Sequence, residues 1–191
     1  MRSALRWFSI LLLAAVIVGL DQWTKSLVET QVPLGGSYTP FPALEPYFNI
    51  VHLTNTGAAF GLFRGGASFF IVIAVVVIVG LLVFARHLDQ GDWLIRLALG
   101  LQLGGATGNL IDRLHQDGHV TDFLLFTLPV GDRVYQWPAW NVADAGIVVG
   151  TILLAILLLR DDRRNAQETV NVSKPGASGT GNTSPVHSGD E

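Results

Sequence analysis

The stretch WNVADAGIVVGTILLAILLLR, residues 140–160, decides the fold class, because it is long and apolar enough to cross a bilayer as a helix. One residue interrupts the pattern: Asp144 lies about one turn inside the run. On insertion scales a carboxylate near the middle of a membrane costs roughly 2.5–3.5 kcal/mol, and less near the interface. We therefore expect Asp144 to belong either to a helix cap or to a functional site.

Composition places the whole chain in the membrane class. Of its 191 residues, 50% are hydrophobic and 14% are charged, and the mean hydropathy is +0.44. These values are too apolar for an ordinary soluble domain. The net charge of −3 argues against nucleic acid as a partner. The chain has no cysteine, which excludes disulfides, thiolate metal sites and a cysteine nucleophile.

Four apolar segments predict four transmembrane helices in a single membrane-embedded domain, residues 1–160. A span needs about 20 helical residues, and the segments lie at about 7–28, 67–85, 93–111 and 140–159. The first segment lacks the small residues of a signal-peptide cleavage site, so we expect an uncleaved helix. Residues 161–191 are polar and rich in Gly, Ser, Thr and Asn, which predicts a disordered cytoplasmic tail.

Basic residues predict the orientation of these helices, because they concentrate on the cytoplasmic side of a membrane. Seven of them flank the segments on one side: Arg2, Arg6, Arg86, Arg160, Arg163, Arg164 and Lys174. We expect both termini to be cytoplasmic and the two long loops to face outward. In those loops, 46–54 is rich in β-forming residues and 123–137 has the pattern of a hairpin around Gly131. The fold class is therefore membrane α, with a small extracytoplasmic β-structure built from the two outer loops.

Asp144 has two interpretations. Asn141-x-x-Asp144 fits a helix cap, with Asn141 at the N-cap and the acid three residues on. Asp122 favours a site instead, because it precedes the hairpin that Asp144 follows, and a hairpin returns the chain close to where it left. Two carboxylates that share a site cannot both ionise cheaply, so one stays protonated near neutral pH. The charged one can take a proton from water while the neutral one polarises a peptide carbonyl, which is aspartic-protease chemistry.

Other polar residues have simpler explanations. Asp21 and Lys25 are four apart on the first helix, a spacing that favours an ion pair near the membrane surface over direct substrate contact. The chain has no His-Glu-x-x-His or Gly-x-Ser-x-Gly motif, and Ser26 is adjacent to Lys25, so it points to a different helix face. No metal site or serine nucleophile is predicted. Four residues are expected to be solvated in a loop or at a helix end: Asp112, His115, Asp117 and His119.

Five short motifs follow one another along the chain. They are Asp21-Gln-x-x-Lys25, Asn55-Thr-Gly57-Ala-Ala-Phe60, Gly108-Asn109-Leu-Ile-Asp112-Arg113, Val120-Thr-Asp122-Phe123 and Trp140-Asn141-x-Ala-Asp144. Each motif is weak alone, but the order and spacing are specific, and the set resembles the bacterial lipoprotein signal peptidase family, signal peptidase II. The resemblance covers residues 7–160 and leaves the tail outside. Thr121 stands where we would expect an apolar residue, a departure that changes no catalytic group.

The resemblance implies an intramembrane aspartic endopeptidase of the bacterial inner membrane, with its site near the outer face and no cofactor. Such enzymes remove signal peptides from diacylglyceryl-modified prolipoproteins and cut on the amino side of the lipidated cysteine. Their partners are these substrates and membrane lipids. Asp122 and Asp144 would be the catalytic pair. Seven further residues would line or brace the site: Asn55, Gly57, Asn109, Arg113, Asn141, Asp21 and Lys25.

Two other functions stay open at the level of sequence. A small proton-coupled carrier could use Asp144 as a relay, since acids inside membranes also mark transport paths. Four short spans, no visible inverted repeat and an outer β-structure argue against it. A non-catalytic scaffold would leave the pairing of Asp122 with Asp144 unexplained. The sequence gives no oligomeric state, and a monomer is compatible with it.

Overall fold

Four long helices form the membrane part of the protein in the computed structural model, which describes residues 2–57, 67–87 and 93–172. The helices are α1 (Arg2–Gln31), α2 (Ala67–Arg86), α3 (Trp93–His115) and α4 (Val142–Val172). Each contains a stretch long and apolar enough to cross a membrane by length and composition. The prediction of four membrane-spanning helices is confirmed.

Helix α3 lies at the centre of the helical part, because glycines let its neighbours approach closely. A Cβ on Gly104 would lie 2.9 Å from the backbone oxygen of Ala14 on α1, and a Cβ on Gly150 of α4 would lie 2.7 Å from that of Ala98 on α3. Half of the most apolar stretch of α3 is buried, compared with 17% or less of the corresponding stretch in each of the other three helices. Gly104 and Gly150 therefore lie at helix contacts, where small residues let helix backbones approach closely.

A four-stranded antiparallel sheet packs at one end of the helices. Its order is β1 (Ser37–Tyr38), β2 (Phe48–Asn55), β3 (Val120–Val130) and β4 (Arg133–Gln136). The turn between β3 and β4 is Gly131-Asp132, with Gly131 at φ +59°, as the hairpin pattern predicts. On the side of the sheet towards α1, Phe123 packs against Val28 and Val32. The small β-structure predicted from the two long loops is confirmed; the side of the membrane on which it lies stays a prediction.

Several helix ends differ from the predicted ones. Helix α3 continues four residues past 111, and α4 continues past 159 to Val172. The prediction that disorder starts at 161 needs correcting for 161–172, which are helical. The physical reason is that no Pro or Gly follows until Pro175 and Gly176, so nothing in the sequence stops the helix earlier. Residues 173–191, and Ala58 to Phe60 of the second motif, lie outside the described residues.

The chain divides into two units, Met1–Leu157 and Leu158–Glu191. The first contains all the predicted site residues. The described part of the second is the final section of α4. The predicted single domain of residues 1–160 stays a prediction.

Candidate active site

Asp122 is held in a fixed orientation by two side-chain amides. It lies on β3 with 3% of its surface exposed. Asn55 Nδ2 donates to its Oδ2 at 2.9 Å, and Asn141 Nδ2 donates to its Oδ1 at 2.7 Å. Asn55 is the last residue of β2, and the pairing of β2 with β3 places Leu53 opposite Asp122. The pairing register of the two strands therefore places Asn55 beside the carboxylate of Asp122.

Asp144 forms a reciprocal cap with Asn141 at the start of α4. Asn141 Oδ1 accepts a hydrogen bond from the backbone N–H of Asp144 at 2.9 Å, and Asp144 Oδ2 accepts one from the backbone N–H of Asn141 at 3.4 Å. This is the geometry of a capping box. The side chain of Asp144 is only half-buried, and its Oδ1 accepts a further bond from Asn109 Nδ2 at 2.7 Å. The cap interpretation is correct, and Asp144 remains partly exposed while it forms the cap.

Asn141 connects the two carboxylates. Its side-chain amide donates to Asp122 while its backbone N–H donates to Asp144. Asn109 completes the link, since it donates to Asp144 and accepts a bond from Asn141 Nδ2 at 3.3 Å. The structure therefore brings Asp122 and Asp144 to one place, at the junction of α3, β3 and α4.

The environment of Asp122 disfavours its charged form. Burial raises the pKa of Asp122 from an ordinary 3.8 to about 6; the amide of Asn55 lowers it, and the charge of Asp144 raises it. A carboxyl with this pKa can hold a proton close to neutral pH. The pair can therefore present one neutral acid and one carboxylate, which is the state that general acid–base chemistry needs.

A buried ion cluster ties α1 to α3 and α4 beside the pair. Lys25 Nζ lies 2.7 Å from Asp21 Oδ2 and 2.7 Å from Asp112 Oδ2, and donates to Asn109 Oδ1 at 3.1 Å. The other oxygen of Asp21 accepts a bond from the backbone N–H of Ala143 at 2.9 Å. Ala143 is in the first turn of α4, where an anion is favoured by the helix dipole. The cluster therefore positions the helix end that carries Asp144.

The expectation that Asp112 is solvated is wrong. It is 2% exposed, and besides Lys25 it accepts bonds from Gln22 Nε2 at 2.7 Å and from the backbone N–H of Thr121 at 3.2 Å. Because α3 continues past its predicted end, Asp112 lies inside the helix, three residues after Asn109 on the same face. His115 and Asp117 are exposed, as predicted, and His119 is half-buried.

Arg113 and Gly57 meet at Phe70 of α2. The guanidinium carbon of Arg113 lies 5.6 Å from the centre of the Phe70 ring, and Nη1 donates to the backbone oxygen of Asn109 at 3.1 Å. Gly57 has φ +73°, and a Cβ there would lie 2.9 Å from a ring carbon of Phe70, so only glycine fits. The N–H of Gly57 donates to Asn55 Oδ1 at 2.7 Å, which turns the amide of Asn55 towards Asp122.

All nine predicted site residues are thus in or beside one cluster, although they come from α1, β2, α3, β3, α4 and the residues just after β2 and just before α4. Sequence reasoning missed Asp112, Gln22, Thr121 and Phe70 as contributors. For Asp112 a signal existed, since Asn109 and Asp112 have the spacing of one helix face. For Phe70 there was none, because an aromatic residue in an apolar span is expected to face lipid.

Comparison with known proteins gives a consistent result. The model of a family described as signal peptidase (SPase) II matches residues 13–160. A lipoprotein signal peptidase of Xanthomonas campestris pv. campestris (strain 8004) is 41% identical over 85% of this chain and 93% of its own. One of Bacillus pumilus (strain SAFR-032) is 40% identical over 83% of this chain and 97% of its own. A bacterial membrane enzyme solved by the in meso method at 1.9 Å resolution superimposes with a TM-score of 0.69 at 33% identity, covering 80% of this chain and 93% of that one.

Proposed function

The chain belongs to the signal peptidase II family, and from this premise we propose that Asp122 and Asp144 are the catalytic pair with which it cleaves its substrates. It is a membrane-embedded protease of aspartic type that removes signal peptides from prolipoproteins. The observation that carries the proposal is the shared contact with Asn141. One residue donates to both carboxylates and thereby fixes how they face each other.

The pair works through water. The ionised carboxylate takes a proton from a water molecule, whose oxygen attacks the carbonyl carbon of the scissile peptide. The neutral carboxyl donates its proton to the carbonyl oxygen, so a tetrahedral diol forms. The carboxyl then gives its proton to the leaving amine while a diol hydroxyl gives one to the other carboxylate, the C–N bond breaks, and the products are a carboxylic acid and an amine. The pair ends with one proton, as it began.

The position of the pair suits a substrate held in the bilayer. Asp144 lies in the first turn of α4 and Asp122 on a strand outside the candidate spans, which supports a site at a membrane surface rather than in its middle. A signal peptide is an apolar helix, and a lipidated cysteine keeps its acyl chains in lipid. We propose that the bond cut is on the amino side of that diacylglyceryl cysteine. We further propose that membrane lipids flank the site, that both termini are cytoplasmic, and that the site faces outward from the bacterial inner membrane.

The surrounding residues divide the supporting tasks. Asp21 and Lys25 hold the start of α4, and Asn55, Asn109 and Asn141 orient the carboxylates. Gly57 shapes the turn that aims Asn55.

Arg113 is proposed to contact substrate. Its side chain is only half-buried, so part of it is open to a substrate beside the pair. Its positive charge also acts on Asp144 and Asp122. A substrate carbonyl placed there would be polarised.

A proton-coupled carrier is not favoured, because membership of a peptidase family explains the same acids. The two functions differ in a direct way: a carrier leaves its substrate chemically unchanged.

The test is cleavage of a synthetic precursor by the purified full chain in detergent. One peptide carries a diacylglyceryl group on its cysteine, and a matched peptide carries the free thiol. We expect mass spectrometry to show a mature fragment that begins with the lipidated cysteine, from the first peptide only. Chelators should leave the rate unchanged, because the proposed steps use carboxylates and water alone. A cut at another bond, or no cut of the lipidated peptide, would overturn the proposal.

A further inference from the structure

The residue before Asp122 makes a polar contact that the catalytic proposal does not use. Thr121 is 1% exposed, and because successive strand residues point to opposite faces, its side chain lies on the opposite side of β3 from Asp122. Its Oγ1 donates to Glu29 Oε1 of α1 at 2.6 Å. A buried hydroxyl with a short bond to a carboxylate is a strong contact, because bonds to charged acceptors are shorter and stronger than neutral ones.

One carboxylate oxygen of Glu29, a residue of α1, accepts hydrogen bonds from Thr121 of β3 and from a residue just after α3. Gln116 Nε2, just past the end of α3, also donates to Glu29 Oε1, at 2.9 Å. Glu29 lies one turn beyond Lys25 and two turns beyond Asp21, so the three share one face of α1. The face of α1 that carries Asp21 and Lys25 of the ion cluster therefore also carries Glu29, one turn further along, and Glu29 contacts β3 through Thr121.

The backbone N–H and carbonyl groups of Thr121 are both hydrogen-bonded as well. Its N–H donates to Asp112 Oδ2 at 3.2 Å, and its carbonyl oxygen accepts a bond from Asn141 Nδ2 at 3.3 Å. Asn141 Nδ2 also donates to Asp122. A shift of β3 at Thr121 would therefore move both Asp122 and the amide that orients it.

We propose that Glu29 is a positioning residue: through the hydroxyl of Thr121 it fixes β3 next to Asp122 and so sets the separation of the two catalytic carboxylates. The proposal rests on the proposed function, since it needs Asp122 to be catalytic. Neither residue touches the reacting atoms. Both are needed for the contact, because an apolar side chain at position 121 could not donate to Glu29.

The test uses pairs of variants that keep or remove the bond. Thr121→Val has nearly the same shape but no hydroxyl, and Thr121→Ser keeps the hydroxyl. Glu29→Leu removes the nearer acceptor of the Thr121 hydroxyl and leaves Gln116 Oε1 at 3.2 Å, and Glu29→Gln keeps an acceptor at position 29. Two matched controls make the same chemical changes elsewhere: Thr30→Val, whose hydroxyl bonds only to its own helix, and Glu45→Leu in an exposed turn.

We expect Thr121→Val and Glu29→Leu to lower kcat on the lipidated precursor by about tenfold, the factor equivalent to one ordinary hydrogen bond. KM should stay within about twofold, because a kcat loss at constant KM marks an interaction that counts in the transition state. Thr121→Ser and Glu29→Gln should keep most of the rate, and both controls should match the wild type. The double variant Thr121→Val/Glu29→Leu should lose much less than the product of the two single losses, because both single changes remove the bond between Thr121 and Glu29.

Wild-type kcat in Thr121→Val would overturn the inference, as would two losses that multiply in the double variant. Failure of Thr121→Val to fold leaves the Glu29 pair to decide, since Glu29 is exposed; equal rates for its Leu and Gln variants would then overturn the inference. Failure of the proposed function has a different signature. In that case Asp122→Asn and Asp144→Asn stay active, whatever happens at Thr121.

Discussion

Replacing Asp122 by Asn should stabilise the protein at neutral pH while abolishing cleavage. Burial raises the pKa of Asp122 from 3.8 to about 6. One pKa unit corresponds to about 1.4 kcal/mol, so keeping this carboxylate charged in the folded state costs about 3 kcal/mol. Asn carries no charge and avoids that cost. Its amide nitrogen cannot accept a bond, however, so one of the two contacts with Asn55 and Asn141 is lost, at about 1–3 kcal/mol.

The sign of the pH dependence follows from the direction of the shift. An acid whose pKa is raised on folding destabilises the folded state above that pKa, and the penalty disappears as pH falls below the unfolded value. The advantage of Asp122→Asn over the wild type should therefore be largest above pH 6 and should shrink by about 3 kcal/mol on going below pH 3.8. The lost hydrogen bond lowers the stability of Asp122→Asn by a similar amount at every pH, so it does not change how the difference from the wild type varies with pH.

The assay is thermal unfolding in detergent, followed by intrinsic fluorescence for wild type and variant between pH 3 and pH 8. Asp132→Asn, at the exposed hairpin turn, is the matched control and should show no such pH-dependent difference. A stability difference between Asp122→Asn and wild type that does not vary with pH would refute the reasoning. So would a variant that gains stability on acidification relative to wild type.

Three further predictions concern the rate, the ion cluster and the topology. The pH profile of kcat/KM should fall as pH rises through an apparent pKa of about 6, because the pair then loses its shared proton; a flat profile between pH 5 and pH 8 would contradict this. Lys25→Met should destabilise the fold by about 3–5 kcal/mol in chemical denaturation, because it leaves two buried carboxylates unpaired, whereas Arg133→Gln on the exposed hairpin should not. A reporter active only outside the cytoplasm should be active when fused after Gly131 and inactive after Arg86, and the reverse result would invert the proposed orientation.

Hydropathy alone predicted the four helices, because each span must be apolar over its whole length in lipid. The hairpin was predictable from Gly131, since a two-residue turn requires a positive φ that glycine adopts easily. The pairing of Asp122 with Asp144 followed from one local fact, that a hairpin returns the chain to its starting point. These features depend on short stretches of sequence, and sequence reasoning reaches them.

The contacts that sequence reasoning missed are all long-range. Asp112 has the local pattern of a helix-end acid, and only the approach of α1 makes it a buried partner of Lys25. The register that sets Leu53 opposite Asp122 depends on a bulge in β2 that has no visible signal. Thr121 stands where an apolar residue is expected, but only the fold shows that its hydroxyl binds Glu29. In each case the partner lies on another element, and the fold alone brings the two together.

The central claim is that Asp122 and Asp144 act as one catalytic unit, and the most direct measurement is kcat/KM on the lipidated precursor for Asp122→Asn, Asp144→Asn and the double variant. Positioned acid–base catalysis is typically worth about 10²–10⁴-fold, so each single variant should lose at least that much while remaining folded. The double variant should be little worse than either, because removing one member already disables the pair. A folded single variant that cleaves at a near-normal rate would show that its aspartate is not catalytic, and the pair would have to be abandoned.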